Sequence, residues 1–187
     1  MIGIDEAGRG AWAGPLVVVG CCFQNEPGFV ARLRDSKQLT KNRRVELCEL
    51  IKAEALLHCT VIPVRDIDVF GLTTCLKRAM EEIAARLPAD EQIIIDGPFN
   101  FLKDTAHHKR TQTLIKADTL IPEVMAASIV AKVTRDELMA EYGRQYPDYG
   151  FETHVGYGTR RHQEALREFG VSELHRRSYK PVAALLT

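Results

Sequence analysis

Apolar positions along the chain fall into blocks whose period shifts between two and about 3.6. Residues 2–4 predict a short strand. Residues 15–23 predict a second, a β-branched run led by Pro15, which is tolerated at a first strand position. Between them, Ala7-Gly8-Arg9-Gly10 predicts a tight connection. Residues 40–57 predict a helix, with Thr40 as its cap and Leu47, Leu50 and Ile51 as its apolar stripe. His58 to Val64 then predicts a strand. The clearest helix is 71–87, where Leu72, Leu76, Ala79, Met80, Ile83, Ala84 and Leu87 share one face, with Pro88 just beyond. Gln92 to Asp96 predicts a buried strand ending in a carboxylate, and Thr113 to Lys116 a shorter one. Pro122 suits the first turn of a helix running to about Tyr142. A Gly/Tyr/Pro-rich stretch follows, then a short helix from Thr159 to Phe169 closed by Gly170. An opening hairpin followed by mixed strands and helices predicts an α/β fold with a mixed sheet. Residues 1–141 would form the core and 142–187 a small helical appendage of the same compact unit.

Length and composition set the outer bounds. The 187 residues suffice for one domain with a substantial core, and 45% apolar with 27% charged residues is an ordinary soluble composition. No apolar stretch approaches the roughly 20 residues needed to span a bilayer. The start, Met1-Ile2-Gly3-Ile4, has neither a basic leader nor an apolar signal core, so a cytoplasmic location is expected. Five cysteines, with no C-x-x-C pair, read as reduced and mostly buried thiols rather than a zinc site. Adjacent Cys21 and Cys22 should face opposite sides of their strand.

Charge is balanced at 25 basic and 25 acidic residues, so only its distribution speaks to partners. Basic residues concentrate in 32–44, in 103–116 and in 156–180. Together they could form one phosphate-binding surface; separately they are solvated faces.

Four acids carry the chemistry. Asp5 and Glu6 close the first strand, Asp96 closes the Ile93-Ile94-Ile95 strand, and Asp118 lies between a short strand and the Pro122 helix. Neighbouring strands would bring Asp5 and Asp96 to one sheet edge, where open α/β folds place their sites. Carboxylates gathered there repel one another and lose hydration. A bound divalent cation resolves the conflict, and an all-oxygen donor set suits Mg²⁺ or Mn²⁺. Two such ions can orient water and stabilise the leaving oxygen of a phosphodiester. An Asp at a strand end also serves as turn-former or helix cap. Asp35, beside Arg34 and Lys37, and Asp136, beside Arg135, read as ion-paired surface groups.

The ordered motifs narrow the choice. Ile4-Asp5-Glu6-Ala7-Gly8-Arg9-Gly10 with Gly14-Pro15 resembles the opening motif of the ribonuclease HII family. Asp35-Ser36-Lys37-Gln38-Leu39, Asp96-Gly97 and Lys116-Ala117-Asp118 resemble its next motifs. Residues 126–136 resemble its central helix; Tyr146-Pro147, Gly156-Tyr157-Gly158-Thr159 and His175-Arg176-Arg177-Ser178 resemble its C-terminal motifs. The resemblance spans the chain. It implies an RNase H-like mixed sheet flanked by helices. It implies an endonuclease that cuts the RNA strand of RNA–DNA hybrids and incises at single ribonucleotides in duplex DNA, as in ribonucleotide excision. It implies Asp5, Glu6, Asp96 and Asp118 as catalytic carboxylates, the first three as direct ligands of Mn²⁺ or Mg²⁺ and Asp118 as ligand or proton-handling group.

The resemblance also gives the flanking motifs a role. Telling RNA from DNA at one nucleotide means sensing the 2′-OH. Gly8 and Gly10 allow close backbone approach to that hydroxyl, and Arg9 can hold an adjacent phosphate. Lys37 would contact phosphate or hydroxyl, and Tyr157 would pack on the sugar at the RNA–DNA junction. Taken alone, the same residues read as a turn, a surface lysine and a core or loop tyrosine. Ala11, Trp12, Val155 and Tyr179 depart from the family pattern; Val155 replaces a common lysine, and Trp12 reads as cover for the core. The chain ends soon after Pro181-Val182, so no clamp-docking tail is expected, and the protein is expected to act as a monomer. Three other readings stay open: the sister type ribonuclease HIII, a DNA nuclease or resolvase of the same fold, and a non-catalytic nucleic-acid-binding module.

Overall fold

The computed structural model describes residues 1–186. Five strands form one mixed sheet in the order β3-β2-β1-β4-β5. They are β1 (Ile2–Ala7), β2 (Leu16–Phe23), β3 (Ala55–Ile62), β4 (Ile93–Asp96) and β5 (Thr111–Leu114). The pairs β1/β2 and β2/β3 are antiparallel, and β1/β4 and β4/β5 are parallel.

The period of two in β2 sorts its side chains between two cores. Leu16, Val18 and Cys22 pack with α3 (Leu72–Arg86) on one face. Val17, Val19 and Cys21 pack with α1 (Lys41–Glu54) and α4 (Pro122–Gln145) on the other. Cys21 and Cys22 therefore face opposite sides, and all the cysteines are free thiols, with Cys59 the one exposed. Thr40 caps α1 by accepting the Arg43 N–H. The central helix α4 is buried on most sides over Val124–Val133, because both the sheet and α1 pack against it, and its Met139 meets the C-terminal segment.

Several boundaries differ from the sequence pattern. The α1 helix stops at Glu54, and the strand expected from His58 starts at Ala55. Residues 55–57 continue the apolar stripe of α1, so periodicity alone carries the helix too far; pairing with Leu57, Leu56 and Ala55 completes the edge of β2. That strand ends at Ile62, and Val64–Phe70 is a helix, α2, closed by Gly71 at φ +79°. The strand expected at 113–116 lies at Thr111–Leu114, because pairing with β4 sets its register.

Beyond α4, the short helices α5 (Phe151–His154), α6 (Arg160–Phe169) and α7 (Lys180–Ala183) complete the described chain. Met139, Tyr149, Phe151, Ala165 and Leu166 form a separate core there, against which Trp12 packs. No helix among the described residues is long and apolar enough to cross a membrane.

Candidate active site at the ends of β1 and β4

Strand register assembles the site. Ile4 pairs with Ile95 in parallel, so Asp5 and Asp96 follow side by side where the β1/β4 pairing ends, while β1 runs on beside β2 to Ala7. Asp5, Glu6 and Asp96 line one cleft of ≈ 430 Å³ with Gly8, Arg9, Gly10, Ser36, Lys37, Ser128, Lys132 and Tyr157. Asp118 sits in a one-turn helix, Ala117–Thr119, at the edge of the same group. Its connection is direct: the Asp96 carboxylate accepts the Ala117 N–H at 2.8 Å, and Lys37 Nζ reaches Asp118 Oδ2 at 3.3 Å. Lys116, at φ +63°, makes the turn that presents these amides to Asp96. A side chain in that conformation costs energy, so the turn is held by its surroundings.

The electrostatics of the cleft are one-sided. Burial, then the Glu6 carboxylate, pushes the Asp5 carboxyl up to about 8, against hydrogen bonds from Ser128 and the Glu6 amide. Burial also raises Glu6, partly offset by Arg9 at 3.5 Å. Asp96 is raised by burial and by Asp118. Burial works against the Lys37 ammonium, but Asp118, Asp35 and Asp5 together hold it above its ordinary value. Asp5 and Asp96 form no ion pair among the described residues. A buried carboxylate pair without a counter-charge is unstable as anions. The donors are all oxygen, which fits a hard divalent cation. Among the described residues no three such side chains are already closed into a ligating set, so the acids share the cleft without a preformed cage.

The Gly8–Gly10 loop is shaped from behind by two buried arginines. Gly8 has φ +97°, and a Cβ there would lie 2.0 Å from Arg135 Nε, so glycine is required twice over. Arg135 donates to the carbonyls of Pro15, Ala13 and Val155. Arg176 donates to the carbonyls of Gly14 and Arg9, and the Tyr179 hydroxyl also donates to Arg9 at 2.7 Å. The Gly8 carbonyl accepts the Ala11 N–H and the Arg9 carbonyl is held by Arg176 and Tyr179, while the Arg9 and Gly10 N–H groups make no hydrogen bond among the described residues. The Arg9 guanidinium lies 5.7 Å from the Phe99 ring and 5.8 Å from the Phe101 ring. Tyr157 lines the cleft beside this loop: a Cβ on Gly10 would lie 4.0 Å from its ring, and the residue is 39% exposed, with Arg135 behind the ring at 5.6 Å.

Sequence reasoning missed part of this machinery. Ser128, Lys132 and Arg135 recur at helical spacing on α4, a signal legible in hindsight. Ser36 meets Ser128 hydroxyl to hydroxyl at 3.0 Å. Of the two acids expected to be ion-paired, Asp35 is corrected and Asp136 is paired, with partners other than its neighbour Arg135. Asp35 accepts the Lys37 backbone N–H at 2.9 Å, so it builds the turn. Asp136 pairs with Lys132 and Arg44, while Arg135 points away into the core. The basic stretches do not act as units: Lys37 reaches the cleft, whereas Arg44, Arg110 and Arg176 hold backbone carbonyls.

A mixed five-stranded sheet with carboxylates gathered at the ends of β1 and β4 defines a metal-dependent nuclease of the RNase H-like class. A family model for Ribonuclease HII matches residues 2–182, and the chain belongs to that family. It is 44% identical to a Ribonuclease HII of Dichelobacter nodosus, over 98% of this chain and 96% of that protein. A Ribonuclease HII of Sulfurovum is 40% identical over 96% and 91%. Among solved structures, the RNase HII in the PCNA complex from Archaeoglobus fulgidus superposes with a TM-score of 0.84 at 30% identity, covering 100% of this chain and 96% of that one. Membership makes the protein a divalent-metal-dependent ribonuclease H acting on RNA–DNA hybrids.

Proposed function

We propose that the cleft hydrolyses the RNA strand of hybrids and also incises at single ribonucleotides embedded in duplex DNA. The observation that supports this best is that the Gly8–Gly10 loop and the Tyr157 ring, which meet at Gly10, line one cleft with Asp5, Glu6 and Asp96. Asp5, Glu6 and Asp96 hold Mg²⁺ or Mn²⁺, with Asp118 as a further ligand or proton-handling group. The bound cation supplies the charge that activates water and steadies the leaving oxygen.

The chain's own residues do the rest. Ser128 orients the Asp5 carboxyl by hydrogen bond. Asp96 is fixed by the Ala117 amide. Lys37 holds Asp118 and offers its remaining protons to a backbone phosphate. The peptide groups of Gly8–Gly10 contact the 2′-OH, and Tyr157 packs against the sugar at the RNA–DNA junction, where a deoxyribose fits closest.

Three substrates test this: duplex DNA with one ribonucleotide, an RNA–DNA hybrid and an all-DNA duplex, each with Mg²⁺ or Mn²⁺. Cleavage of the first two and not the third is expected. Cutting plain DNA at a comparable rate overturns the proposal.

A further inference from the structure

Behind Tyr157 lies a group of buried imidazoles that the cleft chemistry does not use. His154, His162 and His175 are each at most 8% exposed. The rings of His154 and His162 stack at 4.4 Å and 12°, and His162 Nε2 meets His175 Nε2 at 3.0 Å. Phe151 packs edge-on to His162, Trp12 packs tilted against it, and Tyr149 lies 5.1 Å from His175.

The outer partners dictate where every proton sits. A peptide N–H can only donate, so Ser172 N–H to His175 Nδ1 at 3.0 Å leaves that nitrogen bare. The neutral His175 proton is then on Nε2, pointing at His162 Nε2, which must accept it. The His162 proton is therefore on Nδ1, facing the Tyr157 carbonyl at 3.0 Å, and a carbonyl can only accept. His154 is settled the same way. Its Nδ1 accepts the Gly156 N–H at 3.2 Å and its Nε2–H donates to the Tyr149 carbonyl at 2.7 Å. Only one assignment of neutral tautomers satisfies all these contacts, and a second proton on His162 would set two N–H groups nose to nose.

We propose that His162 and His175 are positioning residues: a one-way relay of hydrogen bonds from the Ser172 amide through His175 and His162 fixes the Tyr157 carbonyl, and with it the Tyr157 ring in the cleft. This rests on the reading of Tyr157 as the substrate-facing residue. The segment needs such an anchor. Val155 and Gly156 both sit at positive φ, +44° and +80°, and a β-branched residue adopts that conformation only under constraint. The Thr159 N–H occupies the other side of the same carbonyl at 2.8 Å. The relay starts at Ser172, three residues before His175, and His175 directly precedes Arg176, whose guanidinium holds the Arg9 carbonyl. The Tyr157 carbonyl and the Arg9 loop are thus both tied to residues 172–176. Burial holds His162 and His175 down to about 4, and the charged groups acting on the cluster, Arg161 and Glu152, do so through His154. The neutral relay therefore persists at neutral pH.

Two measurements on the full chain test the relay. Imidazole ¹⁵N NMR near neutral pH should show His162 protonated on Nδ1 and His175 on Nε2, neither charged. The reverse tautomer, or a charged ring, overturns the proposal whatever the enzyme cuts. The second measurement is binding, by fluorescence anisotropy in a cleavage-dead Asp5→Asn background with Mg²⁺, of a single-ribonucleotide duplex against an all-DNA duplex. His162→Phe, which keeps a ring but no donor, should lose about fivefold to twentyfold of that preference. An unchanged preference in the Phe variant overturns the relay. If the parent protein shows no preference at all, the functional reading fails instead, and the NMR result still decides the relay.

Discussion

The acidic cleft and the C-terminal layer behind it bury titratable groups in opposite ways. In the cleft, Asp5 and Asp96 are brought together by the β1–β4 register, and burial, then neighbouring carboxylates, raises the protonation of Asp5 and Asp96. In the layer behind, Arg135, Arg176, His162 and His175 are also buried, but their hydrogen bonds end on backbone groups, on the Ser172 and Tyr179 hydroxyls or on each other. Burial alone therefore does not mark a site. Buried polar groups that are satisfied specify shape; buried charge left without a counter-charge asks for a ligand. The satisfied region exists here to aim the unsatisfied one.

The comparison breaks most sharply at Asp5. Asp5→Asn should reduce cleavage at least about 10²–10³-fold while leaving the fold intact. Retained activity in steady-state assays with either metal would remove Asp5 from the ligand set. The same change should leave the metal-free protein as stable as the parent or more so, since it removes repulsion.

On the other side, Arg135→Met leaves the carbonyls of Pro15, Ala13 and Val155 without their donor. A loss of about 3 kcal/mol is expected, or roughly 6–12 °C in melting temperature. A melting temperature within a degree or two of the parent would show that the clamp is dispensable.

The two regions should also impose opposite pH slopes on the metal-free protein. Folded Asp5, at about 8 against an ordinary 3.8, keeps a proton that the unfolded chain has released, so stability falls as pH rises through that window. Folded His162 and His175, at about 4 against 6.5, refuse protons that the unfolded chain takes up, so stability falls as pH drops from 6.5 towards 4. Thermal melts should therefore peak near pH 6.5. The alkaline limb should amount to about 2 kcal/mol, and Asp5→Asn should flatten it and steepen the acid limb, where Asp5 opposes the two histidines. A limb that survives the substitution unchanged would assign it to other groups.

The smallest expected effect is at the rim. Tyr157→Ala should slow single-ribonucleotide incision about tenfold, a loss typical of one ring contact, with little change in melting temperature. Unchanged incision would return Tyr157 to a purely structural role.

The strands and long helices were legible because their apolar periods are strong, as in β2 and α3. The ends of α1 and β5 were not, because pairing across the sheet, rather than local preference, decides where they stop. Within the site, Asp5, Glu6 and Asp96 were visible as acids that close apolar strands. Ser36, Ser128 and Lys132 were not, since a serine or lysine on a helix carries no sign of what it faces. The same ambiguity hid Arg135 and Arg176 among surface charges. His162 and His175 could not be paired at all, being 13 residues apart on different segments.

By itself, then, the sequence determined the alternation that makes β1 and β2 two-faced, the acids at the strand ends, and the family to which their ordered motifs point. Only the tertiary structure decided which polar groups would be satisfied and which left in want of a cation. That outcome depends on contacts such as Arg176 with Arg9, 167 residues apart, whose geometry no local pattern encodes.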